Sequence, residues 1–314
     1  MARAKGNYAS KLGWSSDDRV LLVHTDDAGL LQCANRGALR GLEEGVARSF
    51  SVMMPCRGLE DIAAYLREHP GTDAGLHITL TSEWPDYRWR PMSDQAVREG
   101  LTSGDGCFWP SSTLLARHGT PEGVKVEIEA QLEGALAMGM PVTHLDCHMA
   151  AVFLRADFLH AYAEVGIDRG IPVMIARPET SLAARAVRMA RKIACRVAGH
   201  GWYEFPQPPP GLVERVWAAG LPVIDAIHAD SYGWPRAEKA KRMAAWLHTL
   251  PPGITAMLVH CTSPAEDAGV IQPALDTRLG DTEMVTSPLV IQTIREQGIH
   301  LVTWRELLAR RQAC

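Results

Sequence analysis

The chain is 314 residues long, with 32 Lys and Arg against 36 Asp and Glu, for a formal net charge of −4. Hydrophobic residues make up 46% and charged ones 22%, an ordinary globular composition with enough chain to bury a large core without disulfides or structural metal. That near-neutral balance argues against a nucleic-acid binder, which would show an overall basic excess, and no stretch reaches the ~18 to 20 apolar residues of a membrane span.

Met1 to Ser16 carries Arg3 and Lys5 with no hydrophobic run behind them, so it does not read as a secretory signal. The seven cysteines (33, 56, 107, 147, 195, 261 and 314) are odd in number and include no C-x-x-C pair. Both features suit a reducing, cytoplasmic compartment.

Residues 1–18 read as an N-terminal extension, and 19–314 as one domain. Val20 to His24 is a continuous apolar run that stops at Thr25-Asp26-Asp27, like a buried strand reaching a loop. Ala34 to Glu44 reads as helix, Ser49 to Met54 as strand, Leu59 to Glu68 as helix and Ala74 to Thr79 as strand. Thr120-Pro121-Glu122 then gives an N-cap, a first-turn proline and an acidic first turn, and Val124, Ile128, Leu132 and Ala135 keep one face apolar. Strands follow at Val142 to Leu145, Pro172 to Ile175, Pro222 to Ile224, Ile254 to Val259 and Ile299 to Val302. Helices follow at Phe158 to Val165, Ser181 to Val197, Arg236 to His248 and Leu289 to Gln297, and Thr303 to Glu306 is a capping box that starts a terminal helix.

This alternation predicts an α/β fold, a distorted, TIM-like β/α barrel of about seven or eight parallel strands. A barrel is preferred to an open sheet because polar residues end strand after strand: Asp26-Asp27, His77, His148, Arg177, Asp225 and His260. Closing the sheet brings all those ends to one mouth. Neither a G-x-G-x-x-G after the first strand nor a G-x-x-x-x-G-K-[ST] occurs, which removes the main support for dinucleotide or P-loop chemistry.

Ser82 to Gly119 is too long for a plain βα loop and carries Trp84, Tyr87, Trp89 and Trp109. It reads as an insertion that packs its own small core, or as a wall in which Trp84 and Trp89 offer flat surfaces to a substrate. The basic stretch with Arg185, Arg188, Arg191, Lys192 and Arg196 reads as a solvated helix face.

Adjacent carboxylates at Asp26 and Asp27 allow one to hold a metal while the other accepts a proton. Asp17-Asp18, the same dipeptide before the strand, has no such setting. In Thr143-His144-Leu145-Asp146-Cys147-His148, four extended steps separate the histidines by about 13 Å, too far to chelate one ion. His148, nearer the mouth, is the better ligand, and Asp146 is placed to orient a histidine. With His77 and His260, these residues make an Asp-His-His set with a spare Asp and a spare His. That describes a catalytic metal centre with open positions.

Val-His-Thr-Asp-Asp-Ala-Gly-Leu (23–30), Gly-Leu-His-Ile-Thr-Leu-Thr (75–81) and Thr-His-Leu-Asp-Cys-His (143–148) resemble the YdjC/ChbG-like carbohydrate deacetylases, of the polysaccharide-deacetylase-like superfamily. The resemblance runs in order from about residue 19 to 306. It implies a distorted β/α barrel and one divalent ion held by Asp27, His77 and His148, with Zn2+ favoured and Mg2+ or another divalent ion admitted. It also implies Asp26 as base, Arg177 as its buttress and His260 as acid, removing an N-acetyl group from an amino sugar or related sugar amide. Two positions depart from the family: its Ser is Cys147, and its His-x-His continuation reads His148-Met149-Ala150.

The rival readings are the same site cleaving a different amide or an ester, and a metal-containing binding protein without turnover. A small carbohydrate is the expected partner, with no nucleic acid and no membrane; a homodimer is admitted but not specified. Whether His144 or Asp225 joins the site is open at this level.

Overall fold

A computed structural model describes residues 6–178 and 207–314. The helix expected over Ser181 to Val197, with its basic face, lies outside them. The described chain runs α1 (Tyr8–Lys11), β1 (Arg19–Ala28), α2 (Gln32–Glu43), β2 (Ser49–Val52), α3 (Leu59–Glu68), β3 (Ala74–Ile78), α4 (Ser112–His118) and α5 (Pro121–Ala137). It continues with β4 (Val142–Cys147), a 3-10 segment (His148–Leu154), α6 (Ala156–Arg169), α7 (Leu212–Ala218), β5 (Ala226–His228) and α8 (Lys239–His248). The last elements are β6 (Gly253–Val259), α9 (Gln272–Val285), α10 (Pro288–Glu296), β7 (His300–Leu301) and α11 (Trp304–Ala313).

Every strand pair is parallel, in the order β4-β3-β2-β1-β6-β5, with β7 pairing the start of β1 at Val20 and Leu21. All carboxyl ends therefore point the same way. Beyond β4 the sheet curls on through single bridges, Leu145 to Val173 and Ala176 to Ile224, and Asp225 N–H donates to Ile254 O, at the start of β6. The strands expected at Pro172 to Ile175 and Pro222 to Ile224 shrink to these bridges, and each opens on a proline with no N–H to give a ladder.

Strand alternation sorts the core. Val20 and Leu22 point into the main cluster, while Leu21 and Val23 face outward with Met257 and Val259 against Met243 and Leu247 of α8 and Val290 and Ile294 of α10. The same parity brings His24 and Asp26 inward, above Leu22. Gly75 makes room for this lining, since a Cβ there would stand 2.4 Å from the His144 ring.

Residues 8–12 pack onto the body: Tyr8, Ala9 and Leu12 are buried, and Tyr8 N–H donates to Asp225. The 82–119 insertion shares the main core through Tyr87, Trp89, Leu101, Phe108 and Leu115. Thr303 caps α11 as expected, accepting from Glu306 N–H at 3.1 Å. No helix among the described residues is long and apolar enough to cross a membrane.

Candidate metal and active site

β1 does not stop at the two aspartates. It continues to Ala28, with a register shift between Thr25 and Ala28, and Asp27 has φ +66°. In a regular strand Asp26 and Asp27 would face opposite sides; the bulge turns both carboxylates toward the mouth. A left-handed backbone at a non-glycine residue is a local strain that such sites sustain.

Asp27 Oδ1 lies 3.1 Å from His77 Nε2 and 3.0 Å from His148 Nδ1, and its Oδ2 lies 2.6 Å from Arg278 Nη2. One ligating atom from each of Asp27, His77 and His148 falls within 4.8 Å of the other two, and all three residues are buried. The donor set of two imidazoles and one carboxylate fits a divalent ion and leaves positions open. The outer ring nitrogens are also held: His77 Nδ1 meets Asp146 Oδ1 at 2.8 Å, and His148 Nε2 meets both Glu83 oxygens at 3.1 and 3.0 Å. Carboxylates in those places fix the imidazole orientation and raise its basicity.

Beneath the cluster, Asp146 Oδ2 accepts from Ser51 Oγ at 2.8 Å and faces His24 Nε2 at 2.9 Å, while His24 Nδ1 meets Ser49 Oγ at 2.5 Å. His24 Nε2 is also 3.4 Å from Asp26 Oδ1, and His260 Nε2 is 3.7 Å from Asp26 Oδ2. His260 follows β6, and its backbone N–H donates to Asp281, which is paired in turn with the fully buried Lys239.

The electrostatics separate the two neighbouring aspartates. Burial pushes the Asp26 carboxyl up to about 7, against the lowering effect of His77. Burial also penalises Asp27, but Arg278 and His148 outweigh it and hold that carboxyl well below the usual range. For His148, burial favours the neutral ring, yet Glu83 and Asp27 together raise it to about 9. His260 is driven down to about 3 by burial and by Arg278.

A model described as YdjC-like protein matches residues 20–296. The chain belongs to the YdjC-like family. A carbohydrate deacetylase of Thermus thermophilus is 31% identical over 292 residues, covering 91% of this chain and 93% of that protein. A chitooligosaccharide deacetylase of Serratia marcescens is 22% identical over 296 residues, covering 92% and 100%. Among solved structures, a candidate cellobiose-phosphate cleavage protein of Enterococcus faecalis superposes with TM-score 0.70 at 17% identity, covering 92% of this chain and 99% of that one. At that identity the likeness speaks for the fold.

In this YdjC-like chain the structure brings Asp26, Asp27, His77, His148 and His260 to one place. Arg177 stands elsewhere. Its Nε is 3.2 Å from Asp225 Oδ1, and Asp225 also accepts from the N–H groups of Tyr8 and Ile254, toward the amino end of β6. His144 lies one layer down, stacked on Trp304 and edge-on to His24. Trp89 is buried, donates its indole N–H to Thr81 O and packs edge-on to His148 at 6.3 Å. Trp84 is partly exposed, and its indole N–H has no hydrogen-bond partner among the described residues. Trp109 pins the insertion, donating to Gly100 O and stacking on His118.

Sequence reasoning missed Arg278, Asp281, Glu83 and the role of His24. α9, which carries Arg278 and Asp281, has no apolar stripe to betray it, because its buried residues include Arg278, Asp281 and Thr282. Glu83 had one signal, a lone acid six residues beyond His77.

Proposed function

We propose that this chain is a metal-dependent carbohydrate N-deacetylase, removing an acetyl group from an amino sugar or related sugar amide. The carrying observation is the convergence of Asp27, His77 and His148 with a second carboxylate, Asp26, beside them. The names of the family's relatives support the reaction class, and the curl of the sheet supports the distorted-barrel reading.

Asp27, His77 and His148 would hold the ion, with Zn2+ favoured by the two imidazoles and Mg2+ also compatible with open, water-filled positions. When bound, it would polarise the amide carbonyl and make a water acidic enough to ionise near neutral pH. Asp26 takes the proton from the attacking water, and a carboxyl raised to about 7 is suited to accept it. His260, lowered to about 3, is a neutral imidazole at neutral pH, with no second proton to give away at rest. The proton that Asp26 collects is the one the leaving amine needs, and His260, 3.7 Å from Asp26, is placed to hand it on as negative charge departs and the amine becomes the stronger base. Arg177 supports the site only at a distance, by tying its segment to Asp225. Trp84, half-buried against the main core, supplies a flat contact to the sugar through the exposed part of its ring, while Trp89 backs His148.

The test is acetate release from N-acetylglucosamine oligomers before chelation, after it, and after Zn2+ is returned. Release should stop with chelator and recover with metal. His148→Ala should lose the ion and His144→Ala retain it. Chelator-resistant release, or a His144→Ala protein that alone loses metal, would sink this assignment.

A further inference from the structure

The two histidines of the Asp27 cluster present opposite ring nitrogens. His77 gives Nδ1 to Asp146 and turns Nε2 toward Asp27. His148 does the reverse, with Nε2 against the Glu83 carboxylate at 3.1 and 3.0 Å and Nδ1 3.0 Å from Asp27 Oδ1. An imidazole that donates from one nitrogen offers its lone pair on the other, so whatever sits at Nε2 decides which atom His148 can give an ion. Asp146 performs this service for His77 from inside the sheet. Glu83 comes from the loop that leaves β3.

We propose that Glu83 is the positioning residue for His148: it holds the Nε2–H and so commits His148 to coordinate through Nδ1. This rests on the metal-site reading above. The carboxylate is well placed to act. Its side chain is only 16% exposed. The chain just before it is tied down where Ser82 Oγ accepts from Trp89 N–H at 3.0 Å and Thr81 O accepts from the Trp89 indole at 2.8 Å. Trp89 packs against the same His148 ring. One short loop thus closes the ring from its edge and from its outer nitrogen, and the insertion becomes part of the metal seat.

Two measurements on the full-length, Zn2+-loaded protein decide the matter. Imidazole 15N shifts should show His148 with Nδ1 on the metal and a proton on Nε2. Zn2+ affinity, read by competition with a chromophoric chelator, should fall about 10- to 100-fold in Glu83→Ala. The isosteric Glu83→Gln, which keeps an acceptor oxygen but not the charge, should fall by less. A residue that merely braced the loop would lower the melting temperature and leave affinity and nitrogen assignment alone. Coordination of His148 through Nε2 in the wild type, or affinity within threefold of wild type in Glu83→Gln and Glu83→Ala alike, overturns the inference while leaving the metal site intact. A wild-type protein that takes up no Zn2+ overturns the metal-site reading itself. If Glu83→Ala does not fold, the wild-type spectrum and Glu83→Gln still give the answer.

Discussion

On the β1–β4 side of the mouth, each ring nitrogen of His24, His77 and His148 faces a polar partner: Ser49, Asp146, Asp27 or Glu83. On the β6–α9 side, His260 Nδ1 and the Nε and Nη1 of Arg278 are buried with no hydrogen-bond partner among the described residues. A buried donor left unpaired costs roughly 1 to 3 kcal/mol, so a fold keeps several together only where something else is gained. The contrast suggests a division of labour. The paired rings of this saturated set are held rigidly enough to seat an ion, and the unpaired nitrogens opposite them are left to meet a substrate, although His144 Nε2 and Thr81 Oγ1 are unpaired on the β1–β4 side too. Asp26 stands on the border, with Oδ1 toward His24 and Oδ2 toward His260.

Asp26→Asn tests which side that residue serves. The amide keeps the shape but accepts no proton, so turnover should fall by about 10²-fold or more with the ion still bound. Metal analysis beside single-turnover kinetics would check this. If the ion were lost, Asp26 would belong to the holding side and the roles of the two aspartates would be exchanged.

Arg278→Lys probes the opposite border. A lysine keeps a positive charge near Asp27 but lacks the planar fork whose Nε and Nη1 have no partner. Metal content should hold while kcat/KM falls by about tenfold or more, on the scale of a lost transition-state donor. Metal loss with unchanged kinetics on the remaining loaded fraction would make Arg278 a prop for Asp27 and nothing else.

The two sides also differed in how much of them the sequence betrayed. β1, β3, β4 and β6 are parallel strands buried on both faces, so they read as apolar runs, and a polar residue ending such a run is conspicuous. Asp26, His77, His148 and His260 were visible for that reason. Arg278 and Asp281 were not, because α9 buries polar groups and shows no apolar period. The bulge that turns Asp27 into the mouth leaves no mark in residue type, and the strand was expected to end before it. Arg177 ends its run as the pattern requires, yet only single bridges tie that run into the sheet, and the arginine pairs with Asp225. Strand ends were legible in proportion to how regular the strand is.

Within the insertion, Trp89 and Trp84 repeat the contrast on a smaller scale. Trp89 is buried with its indole N–H satisfied, whereas the Trp84 indole is unpaired. Trp89→Ala should destabilise the protein by about 3 to 5 kcal/mol and lower its melting temperature. Trp84→Ala, at a ring only half-buried against the core, should lower the melt by less than Trp89→Ala does and raise KM for N-acetylated oligomers. Melts and steady-state kinetics on the pair would show it, and a Trp84→Ala protein that is destabilised with unchanged KM would remove the substrate-wall role.

The smallest effect is the titration of the saturated side itself. In the metal-free protein His148 is raised from 6.5 to about 9, with Glu83 and Asp27 outweighing the burial that opposes the charge. A group whose pKa is higher folded than unfolded binds its proton more tightly in the native state. Its contribution to stability is therefore complete below pH 6.5 and is lost as pH rises through about 9. Thermal melts of chelated protein across that window should drop by a few degrees. Glu83→Gln should flatten the drop, because the neutral amide no longer favours the imidazolium. Zn2+ binding should run the other way and strengthen over the same window, since the ion and a proton compete for His148. A metal-free melting curve that stays level from pH 6.5 to 9 in the wild type would mean that His148 is already neutral between its two carboxylates. The saturated side would then be held by hydrogen bonds alone, without the charge that Glu83 and Asp27 supply.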